Sequence, residues 1–120
     1  MEVTRIIHPI GQGAFYTERI CSKDQIYNVV YDCGSGINKN APKRLIQEIA
    51  SVFTSNDVVD ILFVSHFDND HINGIRELKK RVKEIRKLNS SSKCNGIHIN
   101  NLFKFFVWCE VSKSFTRSII

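Results

Sequence analysis

The chain has 120 residues, 42% of them hydrophobic, and a formal net charge of +5. That length can bury one modest core but not two, and that hydrophobic share excludes a disordered polypeptide. No apolar run approaches the ~18 residues a membrane span needs, and Met1-Glu2-Val3-Thr4 lacks the basic-then-apolar order of a secretory signal, so a cytoplasmic location without membrane contact is expected.

In chain order, Val3 to His8 and Ala14 to Ile20 predict a hairpin around Gly11-Gln12-Gly13, and Gln25 to Asp32 predicts a further strand running into Gly34-Ser35-Gly36. His8, beside the glycine turn, either faces a site or, more simply, lies on the strand surface. Asn40, Pro42 and the spacing of Leu45, Ile46, Ile49, Val52 and Phe53 announce an amphipathic helix with Pro42 near its first turn. Val58 to Ser65 then reads as a strand whose stretch Ile61-Leu62-Phe63-Val64 is buried. After it, Leu78, Val82, Ile85 and Leu88 line one face of a second helix. Asn89 to Lys93 reads as a linker, and Ile97 to Val111 is rich in strand formers, with Leu102, Phe103, Phe105, Phe106 and Trp108 forming an apolar cluster that needs a surface to cover it.

Chemistry concentrates where the strand from Val58 ends. His66, Asp68, Asp70 and His71 place four potential metal ligands in one short loop, at the carboxyl end of a strand, where active-site groups of such sheets collect. His66 and Asp68 are two apart and would turn to one side of an extended backbone, whereas Asp70 and His71 open a tighter segment. Two sides of one loop could thus serve two cations. Taken singly, a His or Asp at a strand exit is a cap or a solvated residue, and Asp70 could cap the helix that follows. Four together in this order outweigh that alternative.

The run Ser65-His66-Phe67-Asp68-Asn69-Asp70-His71-Ile72-Asn73-Gly74 resembles the metal-binding loop of the metallo-β-lactamase fold. It departs from the usual H-x-H-x-D-H in having Asp68 at the second His position. The resulting H-x-D-x-D-H is similar to a variant in the hydrolase domain of DNA-uptake competence proteins, and Gly11-Gln12-Gly13 and Asp32-Cys33-Gly34 resemble that subgroup's glycine turn and Asp-x-Gly strand end. The resemblance implies an α+β fold, the first half of an αβ/βα sandwich with a mixed sheet and helices packed on it. It covers roughly residues 3–80, which assigns residues 1–88 as the amino-terminal half of such a domain and leaves 89–120 as a linker and an unassigned β-rich tail, truncated or divergent.

It further implies a hydrolase that activates water on one or two divalent cations and acts on a phosphodiester or another ester. His66 and Asp68 would hold one ion, Asp70 and His71 the other, with Asp70 also orienting the nucleophile as the catalytic residue. Asp32 would act from behind the ligands, accepting a hydrogen bond that orients one of them. A carboxylate at Asp68 in place of an imidazole shifts the choice from zinc towards manganese without excluding zinc. These residues leave each ion about two protein ligands, fewer than the three typical of catalytic zinc, and His98 is the possible late ligand.

Other readings compete. A remnant or interaction domain that keeps the loop but cannot close the site is the alternative to an enzyme. Asp68-Asn69-Asp70 as the D-x-D of a haloacid-dehalogenase-like phosphatase fits poorly, because Ser65-His66-Phe67 intervene and both His residues would be idle. The helix expected over 76–88 carries seven basic and two acidic residues, so the whole net charge is local. It could draw nucleic acid towards the site, or be a solvated face supported by pairs such as Glu77 with Arg81. Cys21, Cys33, Cys94 and Cys109 contain no C-x-x-C pair. Cys33 is a soft-metal ligand or, more simply, a small buried residue at a strand end.

Overall fold

Alternating side chains and paired turn residues fold the first third of the chain into an antiparallel meander. The computed structural model describes residues 1–36, 40–65 and 67–90. Strands β1 (Glu2–Ile7) and β2 (Gly13–Ser22) pair antiparallel with Ile7 opposite Tyr16, and Gly11 and Gly13 take the positive φ values of 77° and 117° that turn the hairpin. Strand β3 (Gln25–Ser35) returns antiparallel to β2. Helix α1 (Ala41–Val52) then carries the chain across to β4 (Val58–Val64), which lies parallel to β3 with Val30 beside Leu62. Two short helices, α2 (Asn69–Ile72) and α3 (Ile75–Arg81), lead to β5 (Glu84–Ser90), parallel to β4. The strand order β1-β2-β3-β4-β5 makes a mixed five-stranded sheet in an α+β fold.

Both parallel connections advance in the same direction, and right-handed crossovers then put α1 and α3 on one face. There Phe15, Val30, Leu62 and Val64 of the sheet meet Leu45, Ile49, Phe53, Ile72, Ile75 and Leu78 in a single core. Ile46 stays outside the core, 47% exposed. The opposite face carries a row formed by Ile7, Tyr16, Tyr31 and Phe63, whose rings follow one another at 5.2 and 5.9 Å. The expectation that all of Ile61 to Val64 is buried therefore needs correction: Leu62 and Val64 are fully buried, whereas Ile61 and Phe63 are half-buried on the other face. None of the described helices is long and apolar enough to cross a membrane.

The second helix is also shorter than its periodicity predicts. It stops at Arg81, Val82 turns extended, and residues expected to extend it become β5. The open edge of β4 presents a row of backbone donors and acceptors, and pairing with it satisfies them while still packing Val82, Ile85 and Leu88 against the core. Lys83 N–H donates to the Asp57 carbonyl at 2.8 Å and pins the entry to the strand. No continuous basic helix over 76–88 therefore exists. Arg76, Lys79, Lys80 and Arg81 lie on α3, while Lys83, Arg86 and Lys87 lie on the approach to β5 and on that charged edge strand. Glu77 pairs with Lys80 rather than Arg81, whose guanidinium donates to the Phe53 carbonyl at 2.6 Å.

His8 is not a surface residue. Its side chain is 1% exposed, stacked on Phe15 with ring centroids 4.1 Å apart. Because a carboxylate only accepts, Nδ1–H donates to Glu48 Oε2 of α1 at 3.0 Å, which leaves Nε2 to accept from Thr17 Oγ1 at 2.9 Å. This histidine fastens the hairpin to α1. His8→Ala should lower stability by about 2–4 kcal/mol in urea unfolding, since it removes the stack and strands the buried Thr17 hydroxyl and the part-buried Glu48 carboxylate. Glu48→Gln keeps an acceptor for Nδ1 and should cost about 1 kcal/mol or less.

Candidate metal centre

The carboxyl ends of β3 and β4 lie side by side, because Tyr31 registers with Phe63, and this places Asp32 next to the exit of β4. Asp32 has a φ of 54°, in the left-handed region that Asp tolerates better than most residues, and is 7% exposed. Its carboxylate accepts from Ser65 N at 2.7 Å, Ser65 Oγ at 2.6 Å and His71 Nδ1 at 2.8 Å. Backbone strain held by this many bonds is of the kind that collects at functional sites. With Nδ1–H committed to Asp32, the neutral ring presents the lone pair of Nε2, which lies 3.8 Å from Asp70 Oδ1.

Helix α2 brings Asp70 and His71 to this point. Four residues cannot hold a helix by themselves, so outside contacts position it. His71 N donates to Asp68 O at 3.0 Å and Asn73 N to Asn69 O at 2.9 Å. The Asn73 side chain acts as an extra strand: its Oδ1 accepts from Ser35 N at 2.8 Å and its Nδ2 donates to Ser35 O at 2.7 Å. Gly74 N adds a bond to Cys33 O at 2.7 Å. Two glycines let the backbones touch. A Cβ on Gly34 would stand 2.5 Å from the Asp70 carbonyl, and one on Gly13 2.7 Å from the same oxygen. Gly36 N donates to Gln12 O at 2.6 Å, which ties the glycine turn to the end of β3.

Of the expected ligands, Asp70 and His71 are brought together, and Asp32 holds Nδ1 of His71. Asp70 lies inside α2, so it does not cap that helix; Asp68 occupies the cap position, exposed, and makes no side-chain cap bond. His66 and His98 lie outside the described residues. Among the described residues no three His, Cys, Asp or Glu side chains form a group that could hold a metal ion. The donor chemistry of the described pair nevertheless suits a divalent cation. An imidazole whose far nitrogen is fixed by a carboxylate, beside a second carboxylate, is the arrangement that metal-ligating histidines adopt.

Cys33 takes no part. It is fully buried against Gly74, and burial, with the Asp32 charge next to it, pushes its thiol far above the ordinary range, so it is an inert small core residue. The Asn73 clamp and the close approach of Gly34 escaped the sequence reading, although the Asn73-Gly74 pair after the ligand loop is their visible signal.

A protein-family description, Metallo-beta-lactamase superfamily, matches residues 26–96. The match begins in β3 and takes in α1, β4, the ligand loop, α2, α3 and β5. A comparison with curated proteins finds no match.

Gly34→Ala should displace α2, because the atoms it would strike are backbone and cannot rotate away. We expect a loss of about 2–4 kcal/mol, read by thermal unfolding, against about 1 kcal/mol for alanine at the solvent-open Gly11. Alkylation at pH 8 should label Cys21 in the native protein and reach Cys33 only on unfolding, as peptide mapping would reveal.

Proposed function

The chain belongs to the metallo-beta-lactamase superfamily, and from that premise we propose that it is a metal-dependent hydrolase of the H-x-D-x-D-H subgroup, acting on a phosphodiester or another ester. His66, Asp68, Asp70 and His71 hold one or two divalent cations, manganese or zinc, with His98 as a candidate further ligand. The observation that carries this reading is the His71 imidazole, fixed through Nδ1 by Asp32 with its Nε2 beside the Asp70 carboxylate.

A divalent cation supplies, when bound, a water of near-neutral pKa and Lewis-acid polarisation of the scissile bond. The protein's own groups do the rest. Asp32 keeps the proton on Nδ1 of His71, so the ring cannot turn away or present the wrong nitrogen. Asp70 binds through its carboxylate and orients the attacking water. Asp68, an oxygen donor where an imidazole is usual, hardens the ligand set and favours manganese over zinc relative to an all-histidine site. Arg76, Lys79 and Lys80 on α3 add positive potential that would favour an anionic ester such as a phosphodiester.

Calorimetric titration with manganese or zinc, together with hydrolysis of bis(p-nitrophenyl) phosphate and p-nitrophenyl acetate, tests this. Asp70→Ala should abolish stoichiometric binding and lower chelator-sensitive turnover by about a hundredfold or more. Asp32→Asn should weaken metal binding by about 10–100-fold, with the fold retained. Chelator-sensitive hydrolysis that survives Asp70→Ala unchanged would refute the assignment.

A further inference from the structure

Strand β4 accompanies β3 only as far as Tyr31 and Phe63, yet β3 runs on to Ser35. Over those last residues Asn73 and Gly74 take the neighbour's place. The Asn73 carboxamide binds both main-chain groups of Ser35, Oδ1 accepting from the amide at 2.8 Å and Nδ2 donating to the carbonyl at 2.7 Å, while Gly74 N donates to the Cys33 carbonyl at 2.7 Å. Asn73 also closes α2, its own N–H bonded to Asn69 O at 2.9 Å. One side chain thus ties the end of β3 to the helical turn that carries Asp70 and His71.

The other contacts at this turn differ in kind. Gly34 and Gly13 let the Asp70 main chain come close, and the buried Ile72 draws the turn to the core, but neither contact is directional. The bond from His71 Nδ1 to Asp32 orients the ring and needs the turn already in place. We propose that Asn73 is a positioning residue for the ligand pair: its carboxamide, standing in for the peptide group of a neighbouring strand, sets where Asp70 and His71 lie and so how tightly a divalent cation is held. For the cation this rests on the hydrolase reading above. Aspartate, of the same shape, has no donor for the Ser35 carbonyl, and alanine reaches neither Ser35 group.

Two readouts separate this role from general support of the fold. In metal-free protein, hydrogen exchange at the Ser35, His71 and Gly74 amides should quicken by about tenfold or more in Asn73→Ala, with the β1–β2 pairing unchanged. Val59→Ala, a core truncation at the opposite end of β4, should lower the melting temperature without selectively loosening those three amides. Manganese titration supplies the second readout. Asn73→Asp adds a negative charge near the site, which by attraction alone tightens cation binding, but it loses the bond to the Ser35 carbonyl. Displacement of the pair should prevail and weaken manganese by about tenfold or more, with Val59→Ala close to the unaltered protein. The proposal is overturned if the three amides exchange no faster in Asn73→Ala, or if Asn73→Asp binds manganese as tightly as the unaltered protein or more so. Should the unaltered protein take up no manganese, the hydrolase reading falls, and exchange at His71 alone decides whether Asn73 holds the turn.

Discussion

Asp32 joins three elements through one carboxylate. It accepts from the main chain and side chain of Ser65 at the end of β4 and from His71 in α2, while its own backbone belongs to β3. The parallel register of β3 and β4 brings these partners within reach, and the positive φ at Asp32 turns the strand end so that the carboxylate lies between them. Removing it would take from the Ser65 amide and from His71 Nδ1 the acceptor they share in a part-buried setting, where a lost hydrogen bond costs more than an average one contributes. The imidazole's orientation, and so the position of any group that binds Nε2, depends on this one side chain.

A second constraint is steric. Helix α2 is too short to persist alone, and its backbone rests directly on Gly34 and Gly13, with Asn73 and Gly74 continuing the hydrogen bonding of β3 beyond Tyr31, its last residue paired with β4. Asp70 and His71 are thereby carried on main chain held at both ends rather than on a free loop, the arrangement a preorganised ligand pair needs. The same clamp uses up the backbone of Ser35 but not its hydroxyl, which with Asn69 Oδ1 is a buried polar atom lacking a hydrogen-bond partner among the described residues.

The sheet distributes its faces unequally. Its two crossovers advance the same way, so the described helices cover one side and leave the Tyr16–Tyr31–Phe63 row on the other. His8 holds the hairpin to α1 on the covered side, which keeps the glycine turn against the α2 backbone. The basic residues that made the carboxyl side of the ligand loop look like one charged helix are divided between α3 and an edge strand, with Arg81 and Arg86 engaged by Phe53 and Asp60.

Local sequence was sufficient for the hairpin, for β3, for α1 and for the strand that leads into the ligand loop, because alternation, glycine turns and Pro42 act over a few residues. Asp32, Asp70 and His71, alongside His66 and Asp68, were drawn together only through the resemblance of Ser65 to Gly74 and of Asp32-Cys33-Gly34 to a known family. Residues 84–90 were beyond the reach of local sequence: Val82, Ile85 and Leu88 fit a helical stripe, and only the unpaired edge of β4, brought alongside by the crossover, made a strand the better use of the same apolar side chains. Burial of His8, the one-sided burial of Ile61 to Val64, the Asn73 clamp and the two orphaned polar atoms were likewise decided by tertiary structure. Each depends on a partner more than 30 residues away or on which face the helices cover, and no local pattern encodes either.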